Sequence, residues 1–298
     1  MPAERGVVLA MGTFDGVHRG HRAILKMAAA RGKALGVPSL AMTFHKPPRL
    51  FFFPQPGPVL LTLPDEKAGL FKDIGVGLMD VLNFGKALAG LSADDFFARY
   101  VLRRWKAREV VVGYNFGFGR GRQGDARFLE EKGRAHGIPV HVVPPVTLKG
   151  VPVSSESIRA HLRAGELAPA NAKLGYDYFL TAKVVRGAGR GRTLGYPTAN
   201  LAVPEEKLVP RGVFAVRVTL SSGVEKGGMA NVGVRPTLAV HDARPTVEAH
   251  LFNFKGSLVG KTLRVSLVKK IREERRFPSL SHLSRRLGLD ASAARAAL

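Results

Sequence analysis

The sequence predicts an α/β unit, a mainly parallel sheet with helices on both faces, followed by a small antiparallel β unit and a C-terminal helix. Three observations carry this. Through residues 7–150 short apolar runs alternate with helical segments, the pattern of a parallel sheet covered by its crossovers. Beyond residue 178 β-type runs follow one another with Gly, Pro, Ser and Asn between them, as in a small barrel or sandwich. Each half also contains a glycine-rich segment suited to phosphate oxygens, residues 12–21 and 187–200, and two different segments of this kind suggest two reactions on one chain.

In chain order, residues 7–11 form a short apolar strand, and Ile24, Leu25 and Met27 with the alanines after them mark a helix. Residues 39–44 are the next strand, and 78–82, 110–112 and 138–143 are further β-capable runs. Between them Ser92 or Asp94 caps a helix that continues through Phe96, Phe97, Tyr100 and Val101. A short helical stretch runs from about 155 to 172. Strands are expected over 178–185, 212–220, 228–232, 246–252 and 261–268, and apolar alternation is clear from Val213 to Val218. After Pro278 the spacing of Leu280, Leu283, Leu287 and Leu289 predicts the last helix. No repeat or low-complexity linker separates the halves. The change of texture at 165–175 places the domains at 1–170 and 171–298.

A chain of 298 residues that is 45% hydrophobic can bury two cores of ordinary size. No run is long enough for a membrane span, because Pro58 and Pro64 bracket Val59, Leu60 and Leu61, and Pro54 follows Phe53. The first residues lack the basic segment and apolar run of a secretory signal. Absence of cysteine excludes disulfides and thiolate ligands and is compatible with a reducing cytosol. A cytoplasmic location is expected, with no membrane partner and no obligate protein partner. The net charge of +23 would favour nucleic acid, anionic lipid or a polyphosphate substrate. The basic residues are dispersed, however, and the densest cluster, around Lys269, Arg272 and Arg276, includes Glu273 and Glu274. No helix-turn-helix, zinc-finger or aromatic RNA-binding pattern is present. Nucleotide attraction and a solvated basic surface are expected, not a physiological nucleic-acid role.

The first signature reads Gly12-Thr13-Phe14-Asp15-Gly16-Val17-His18-Arg19-Gly20-His21. Its glycines let the backbone approach a nucleotide, and the helix after it turns free amides toward anionic oxygens. His18 and His21 can donate charge-assisted hydrogen bonds to phosphate as charge develops. The alternatives are a loop with fortuitous histidines or a zinc pair, for which no convincing ligand set is near. The segment resembles the His-x-Gly-His signature of nucleotidylyltransferases, and in its longer form that of bacterial FAD synthetases. The resemblance implies a nucleotidylyltransferase-type, Rossmann-like sheet that moves AMP from ATP to FMN with magnesium and releases pyrophosphate. It places Gly12, Phe14, Asp15, Gly16, His18, Gly20 and His21 in the site. It extends to Asn115 in Gly113-Tyr114-Asn115-Phe116-Gly117-Phe118-Gly119, and to Ser154-Ser155-Glu156-Ser157-Ile158-Arg159. There the hydroxyls of Ser154 and Ser155 and the Arg159 guanidinium would approach ATP phosphates. Read from residue type alone, Arg159 is a fork of phosphate donors or a surface helix arginine. Glu156 stands where the family has Thr, and its carboxylate would repel triphosphate unless magnesium or an arginine intervened. Phe14 and Phe118 are flavin neighbours or core packing.

In the second signature Gly187, Gly189, Gly191 and Gly195 form a flap that Arg190 and Arg192 charge, and Pro197 stiffens the chain before Thr198 and Asn200. On an extended segment Thr198 and Asn200 point the same way and offer oxygens to magnesium together with triphosphate; otherwise Thr-Ala-Asn is a turn or cap. Glu248, on the alternating run 246–252, can accept a proton from an attacking hydroxyl or simply face solvent. His250 shares its facing. This half resembles riboflavin kinases, through Leu194-Gly195-Tyr196-Pro197-Thr198-Ala199-Asn200 and the glycines before it, with Tyr196 in place of Phe. Further matches are residues 212–216, 229–237, 247–250 and 270–277. The resemblance implies a small β-barrel, magnesium and ATP at Thr198 and Asn200, Glu248 as general base, Asn231 in the site and Arg272 near the flavin side.

Covering nearly the whole chain, the resemblance implies a bifunctional flavin enzyme. The second half would phosphorylate riboflavin with ATP to give FMN, and the first would adenylylate FMN to FAD. Two alternatives stay open: a riboflavin kinase whose adenylyl transfer is weakened or lost, motivated by Glu156, and a nucleic-acid-binding protein on the same scaffold, motivated by the charge.

Overall fold

Five apolar residues, Val7–Met11, form β1, buried along its whole length, as a strand covered on both faces must be. The computed structural model describes residues 6–55, 57–187, 189–234 and 245–298. Ala188 of the second signature and residues 235–237 lie outside the described residues. The chain divides into two units, Met1–Pro56 with Thr62–Ser155, and Gly57–Leu61 with Glu156–Leu298.

In the first unit α1 (Arg19–Leu35), β2 (Ser39–Phe44), α2 (Pro48–Phe52), α3 (Pro64–Ile74), β3 (Leu78–Leu82), α4 (Lys86–Ala89) and α5 (Ala93–Phe96) follow β1. Then come a π-helix (Phe97–Arg104), β4 (Ala107–Gly113), a short hairpin of β5 (Gly117–Phe118) and β6 (Gly124–Asp125), α6 (Ala126–Ala135) and β7 (Val140–Val143). The strands β8 (Thr147–Leu148) and β9 (Val151–Pro152) close this part. The main sheet is five-stranded, in the order β3-β2-β1-β4-β7, and its four pairings are parallel. The order reverses between β1 and β4, which opens a crevice at their C-terminal ends where such sheets bind ligands. Both the 12–18 loop, leaving β1, and the 114–119 loop, leaving β4, emerge at that crevice. One alternate set of strand residues (Val7, Leu9, Met11, Leu40, Val110, Val112) packs with Phe96, Val101, Trp105 and Leu129.

Ser92 caps the helix at 93, its hydroxyl accepting from the Asp95 amide at 3.0 Å. The expected α-helix nevertheless becomes a π-helix after Phe96. Widening the turn lets Phe96, Tyr100 and Trp105 cluster, a tertiary gain over an intrinsically rare form. Helix α3 was not among the expected elements. Pro64, read as a breaker, is its first residue, where a missing amide costs nothing, and Glu66 accepts from the Leu63 amide at 2.9 Å.

The second unit begins with most of α7 (Ser155–Arg163) and α8 (Leu167–Leu174). Its strands β10 (Phe179–Val185), β11 (Ala199–Ala202), β12 (Gly212–Thr219), β13 (Glu225–Val234), β14 (Pro245–Leu251) and β15 (Thr262–Arg272) close a six-stranded barrel, β10-β11-β14-β13-β12-β15. The short helix α9 (Arg190–Thr193) lies in the flap, and α10 (Leu280–Ala297) ends the chain. The barrel interior holds alternate residues such as Leu180, Phe214, Val247, Ala249 and Val265, all buried. Ala291 and Ala294 of α10 pack on Ala215, Met229 and Phe252.

Candidate active sites

In the first unit the 12–18 loop is built on strain. Phe14 and Val17 have φ of +49° and +35°, a left-handed conformation that a β-branched residue adopts only when its surroundings compel it. The compulsion is visible. Asp15 is buried, and its Oδ1 accepts from the Thr62 amide at 3.0 Å and the Thr62 hydroxyl at 3.3 Å. Thr62 Oγ1 in turn accepts from the Gly16 amide at 2.9 Å. The Ser155 hydroxyl donates to the Asp15 carbonyl at 2.9 Å, and Thr43 Oγ1 donates to the Thr13 carbonyl at 2.7 Å. Gly12 closes the end of β1, its amide donating to the Met42 carbonyl at 3.2 Å.

His18 is the N-cap of α1, its Nδ1 accepting from the His21 amide at 3.4 Å. An accepting Nδ1 leaves Nε2–H as the donor of the neutral ring. The two imidazoles stack face to face, 3.6 Å between centroids and 19° apart in plane. A methyl group on Gly20 would press on His18 Cε1 at 3.2 Å, so glycine there keeps a side chain off that ring. Phe14 is wholly buried, edge-on to both His21 and Phe71, and Phe118 is buried against Phe96. Asn115 is exposed at the end of β4, with Arg122 Nη2 donating to its carbonyl at 3.1 Å. Ser154 is exposed. Beyond β2, Phe51 and Phe52 are exposed and pack edgewise on Phe84.

Lys67 and Thr62 were missed in the sequence. Lys67 is 1% exposed; burial pushes its ammonium below the usual lysine value, and the Asp15 charge opposes that shift. A lysine in an Asp-Glu-Lys run reads as a solvated helix position, so no local signal marked it.

Arg159 belongs to the second unit. Its Nε donates to the Val59 carbonyl at 2.8 Å and its Nη1 to Glu156 Oε2 at 3.2 Å. Arg163 also stands 3.9 Å from Glu156, so the carboxylate that departs from the family pattern is met by two guanidiniums.

On the barrel, register assembles the second site. Asn200 of β11 pairs with Glu248 of β14, and Glu248 pairs with Asn231 of β13. Paired residues project from the same face of a sheet, and the buried neighbours Ala199, Val247 and Ala249 point inward, so these three line one outer row. Thr198 joins it, its hydroxyl donating to Glu248 Oε2 at 3.3 Å. Asn231 Nδ2 donates to Glu274 Oε1 at 3.4 Å, a second carboxylate that sequence reading left without a role. Gly187 gives the Asn200 amide its room, since a Cβ at 187 would overlap it. His250 Nδ1 lies 2.8 Å from the Pro197 carbonyl, which ties the flap to β14. Gly189 and Gly195 are left-handed turns in that flap, the Gly191 carbonyl accepts from the Tyr196 amide at 2.8 Å, and Arg192 is exposed. Arg272 is engaged by structure: Nε and Nη2 donate to the fully buried Asp290 at 2.7–3.0 Å and Nη1 to the Glu273 carbonyl at 2.8 Å. Arg286 pairs with the same carboxylate at 2.9 Å.

Among the described residues no group of three or more His, Cys, Asp and Glu could hold a metal. Thr198, Asn200 and Glu248 are hard oxygen donors that suit magnesium only when phosphate and water complete its shell. A strained loop at a Rossmann-type switch point and an oxygen-lined row on a small barrel together define a two-domain, nucleotide-dependent transferase.

Residues 1–157 match the FAD synthetase family and residues 174–298 the riboflavin kinase family. The bifunctional riboflavin kinase/FMN adenylyltransferase of Pseudomonas fluorescens is 38% identical over 99% of this chain and 94% of its own, and that of Escherichia coli K12 is 35% identical over 98% and 93%. A solved structure from Streptococcus pneumoniae, described as a macrolide-efflux protein, superposes with a TM-score of 0.85 at 30% identity, covering 97% of this chain and 94% of that one. The chain belongs to the bifunctional riboflavin kinase/FMN adenylyltransferase family. Among the described residues no helix is long and apolar enough to cross a membrane.

Proposed function

We propose that this enzyme makes FMN from riboflavin at the oxygen-lined row of the barrel and FAD from FMN at the strained loop of the parallel sheet. The labour divides between an adenylyltransferase domain, 1–170, and a kinase domain, 171–298. In the kinase step the Glu248 carboxylate accepts the proton of the ribityl 5′-hydroxyl as its oxygen attacks the γ-phosphorus of ATP, and ADP departs. Thr198 and Asn200 would hold magnesium, which neutralises phosphate charge when bound. The flap glycines Gly187, Gly189, Gly191 and Gly195, with Arg192 and Pro197, close over the nucleotide. Asn231 hydrogen-bonds the reacting groups, and Arg272, spent on Asp290, positions the wall at the flavin side.

In the second step an FMN phosphate oxygen attacks the α-phosphorus of ATP and pyrophosphate leaves, so no proton acceptor is required. His18 and His21 donate to the phosphate oxygens as charge grows, and the loop backbone at Gly12, Asp15 and Gly16 cradles them. Asn115, Ser154 and Ser155 complete the nucleotide contacts, and Gly20 keeps the His18 face open. Phe14 backs His21, while the exposed Phe51 and Phe52, packed on Phe84, offer faces to the flavin ring. The partners are small molecules, and the working compartment is the cytoplasm.

The observation that supports this reading is the single register row Asn200–Glu248–Asn231, a carboxylate between two asparagine side chains beside the glycine-rich flap. Product analysis after incubation with riboflavin, ATP and magnesium tests it. FMN followed by FAD is expected; FMN that never becomes FAD would leave only the kinase.

A further inference from the structure

Lys67 is a charged side chain that the two reactions, as assigned, do not use. It lies on α3, and its Nζ donates to the Thr13 carbonyl at 3.2 Å, the Phe44 carbonyl at 3.0 Å and the Thr43 hydroxyl at 3.4 Å. Thr13 opens the strained loop after β1 and Phe44 ends β2, so one ammonium ties the start of that loop to the end of the neighbouring strand. Taking a lysine out of water is costly, and a fold that needed only a brace could fill this space with apolar side chains. The hydroxyl it meets, on Thr43, already donates to Thr13. An apolar replacement would leave the Phe44 carbonyl without this donor and the loop with one tether fewer, and a neutral amide would remove the charge.

The sign of the charge matters as much as its geometry. The expected ligands at this loop are anionic, and a fixed cation beneath them acts through a medium that screens poorly. Backbone strain at Phe14 and Val17 persists only while neighbouring contacts over-determine it. We propose that Lys67 is a positioning residue of adenylyl transfer: its buried ammonium holds the Thr13 carbonyl, and through it the strained 12–18 loop, in the form that receives ATP phosphates. The proposal rests on placing adenylyl transfer at this loop.

The test uses the full chain carrying Lys67→Arg, Lys67→Gln or Lys67→Met, with kcat and KM for ATP measured for both reactions and ATP binding measured by calorimetry. For Gln and Met, kcat/KM of FMN adenylylation should fall by about 10–100-fold, the scale of a misplaced reacting group. ATP binding at the first unit should weaken in parallel, riboflavin phosphorylation should be unchanged, and Arg should recover most of the loss because it restores the charge. If the Met variant does not fold, Arg and Gln are compared below the melting temperature of each. Equal kcat and KM for ATP in those two, or loss of stability alone, would overturn the proposal. Wild-type protein that makes FMN but no FAD would remove the adenylyl-transfer reading itself, a result distinct from wild-type turnover with an unaffected Gln variant.

Discussion

The Thr198 hydroxyl donates to Glu248 Oε2 at 3.3 Å, so the side chain proposed as base is oriented by the side chain proposed to hold magnesium. The two roles are compatible. A hydroxyl has one proton and two lone pairs, so it can orient the carboxylate with the first and face a cation with the second. Oxygen chemistry at this row is thereby coupled: loss of either residue disturbs both the base and the phosphate-binding oxygens.

Replacing Glu248 by Gln removes the proton acceptor while keeping its size. Riboflavin phosphorylation should drop by about 10²–10⁴-fold, the usual reach of general-base catalysis. FAD formation from supplied FMN should stay at the wild-type rate. Parallel chromatographic assays of the two products check both halves of this expectation.

For His21→Ala the selectivity inverts. Losing one preorganised donor to the transferring phosphate should slow FMN adenylylation by about 10²–10³-fold and leave the kinase intact. A folded variant that lost both activities would argue against independent sites.

Gly187→Ala acts through Asn200. The new methyl group would overlap the Asn200 side-chain amide, the movable end of a side chain, so Asn200 should rotate off the row while the barrel stays folded. KM for ATP in the kinase reaction should rise by roughly tenfold, the value of one hydrogen bond to a charged group. Melting temperature and FAD formation from FMN should not change.

Glu109 provides the pH-dependent expectation. At the N-terminal end of β4 it is 4% exposed, taking two bonds from Arg31 at 2.5 and 2.7 Å and lying 2.9 Å from His141 Nε2. The Arg31 hydrogen bonds hold its carboxyl below the ordinary 4.5, with His141 assisting against the opposing effect of burial. Because the folded value is depressed, its stabilisation is complete above the unfolded value and is lost as pH falls through the folded one. Glu109→Gln should therefore cost about 1–3 kcal/mol at neutral pH, with the difference shrinking in acid below 4.5. Urea unfolding followed through Trp105, the only tryptophan and a residue of the first unit, measures it.

Much of the fold was legible because it is written in local periodicity. Residues 39–44 read as a strand and form one, and alternation around Glu248 put it on the face opposite Val247 and Ala249. The site was legible where chemistry is dense in sequence, as in His18 and His21 or Thr198 and Asn200. It was illegible where one residue reaches across the fold. Thr62 and Lys67 lie far along the chain from Asp15 and Thr13, the residues they hold. Glu274 reaches Asn231 from a distant part of the chain, in room that Gly233 leaves open. The π-helix after Phe96 follows from aromatic packing that no local propensity encodes.

By itself, then, the sequence determined which chemical groups exist, their order, and the alternation that turns each toward core or solvent, since these depend on neighbours a few residues away. Only the tertiary structure decided that Asn200, Glu248 and Asn231 share a row and that a buried ammonium lies beneath the Thr13 carbonyl. Strand register and burial are set by contacts between distant segments, and those come into being only when the chain closes on itself.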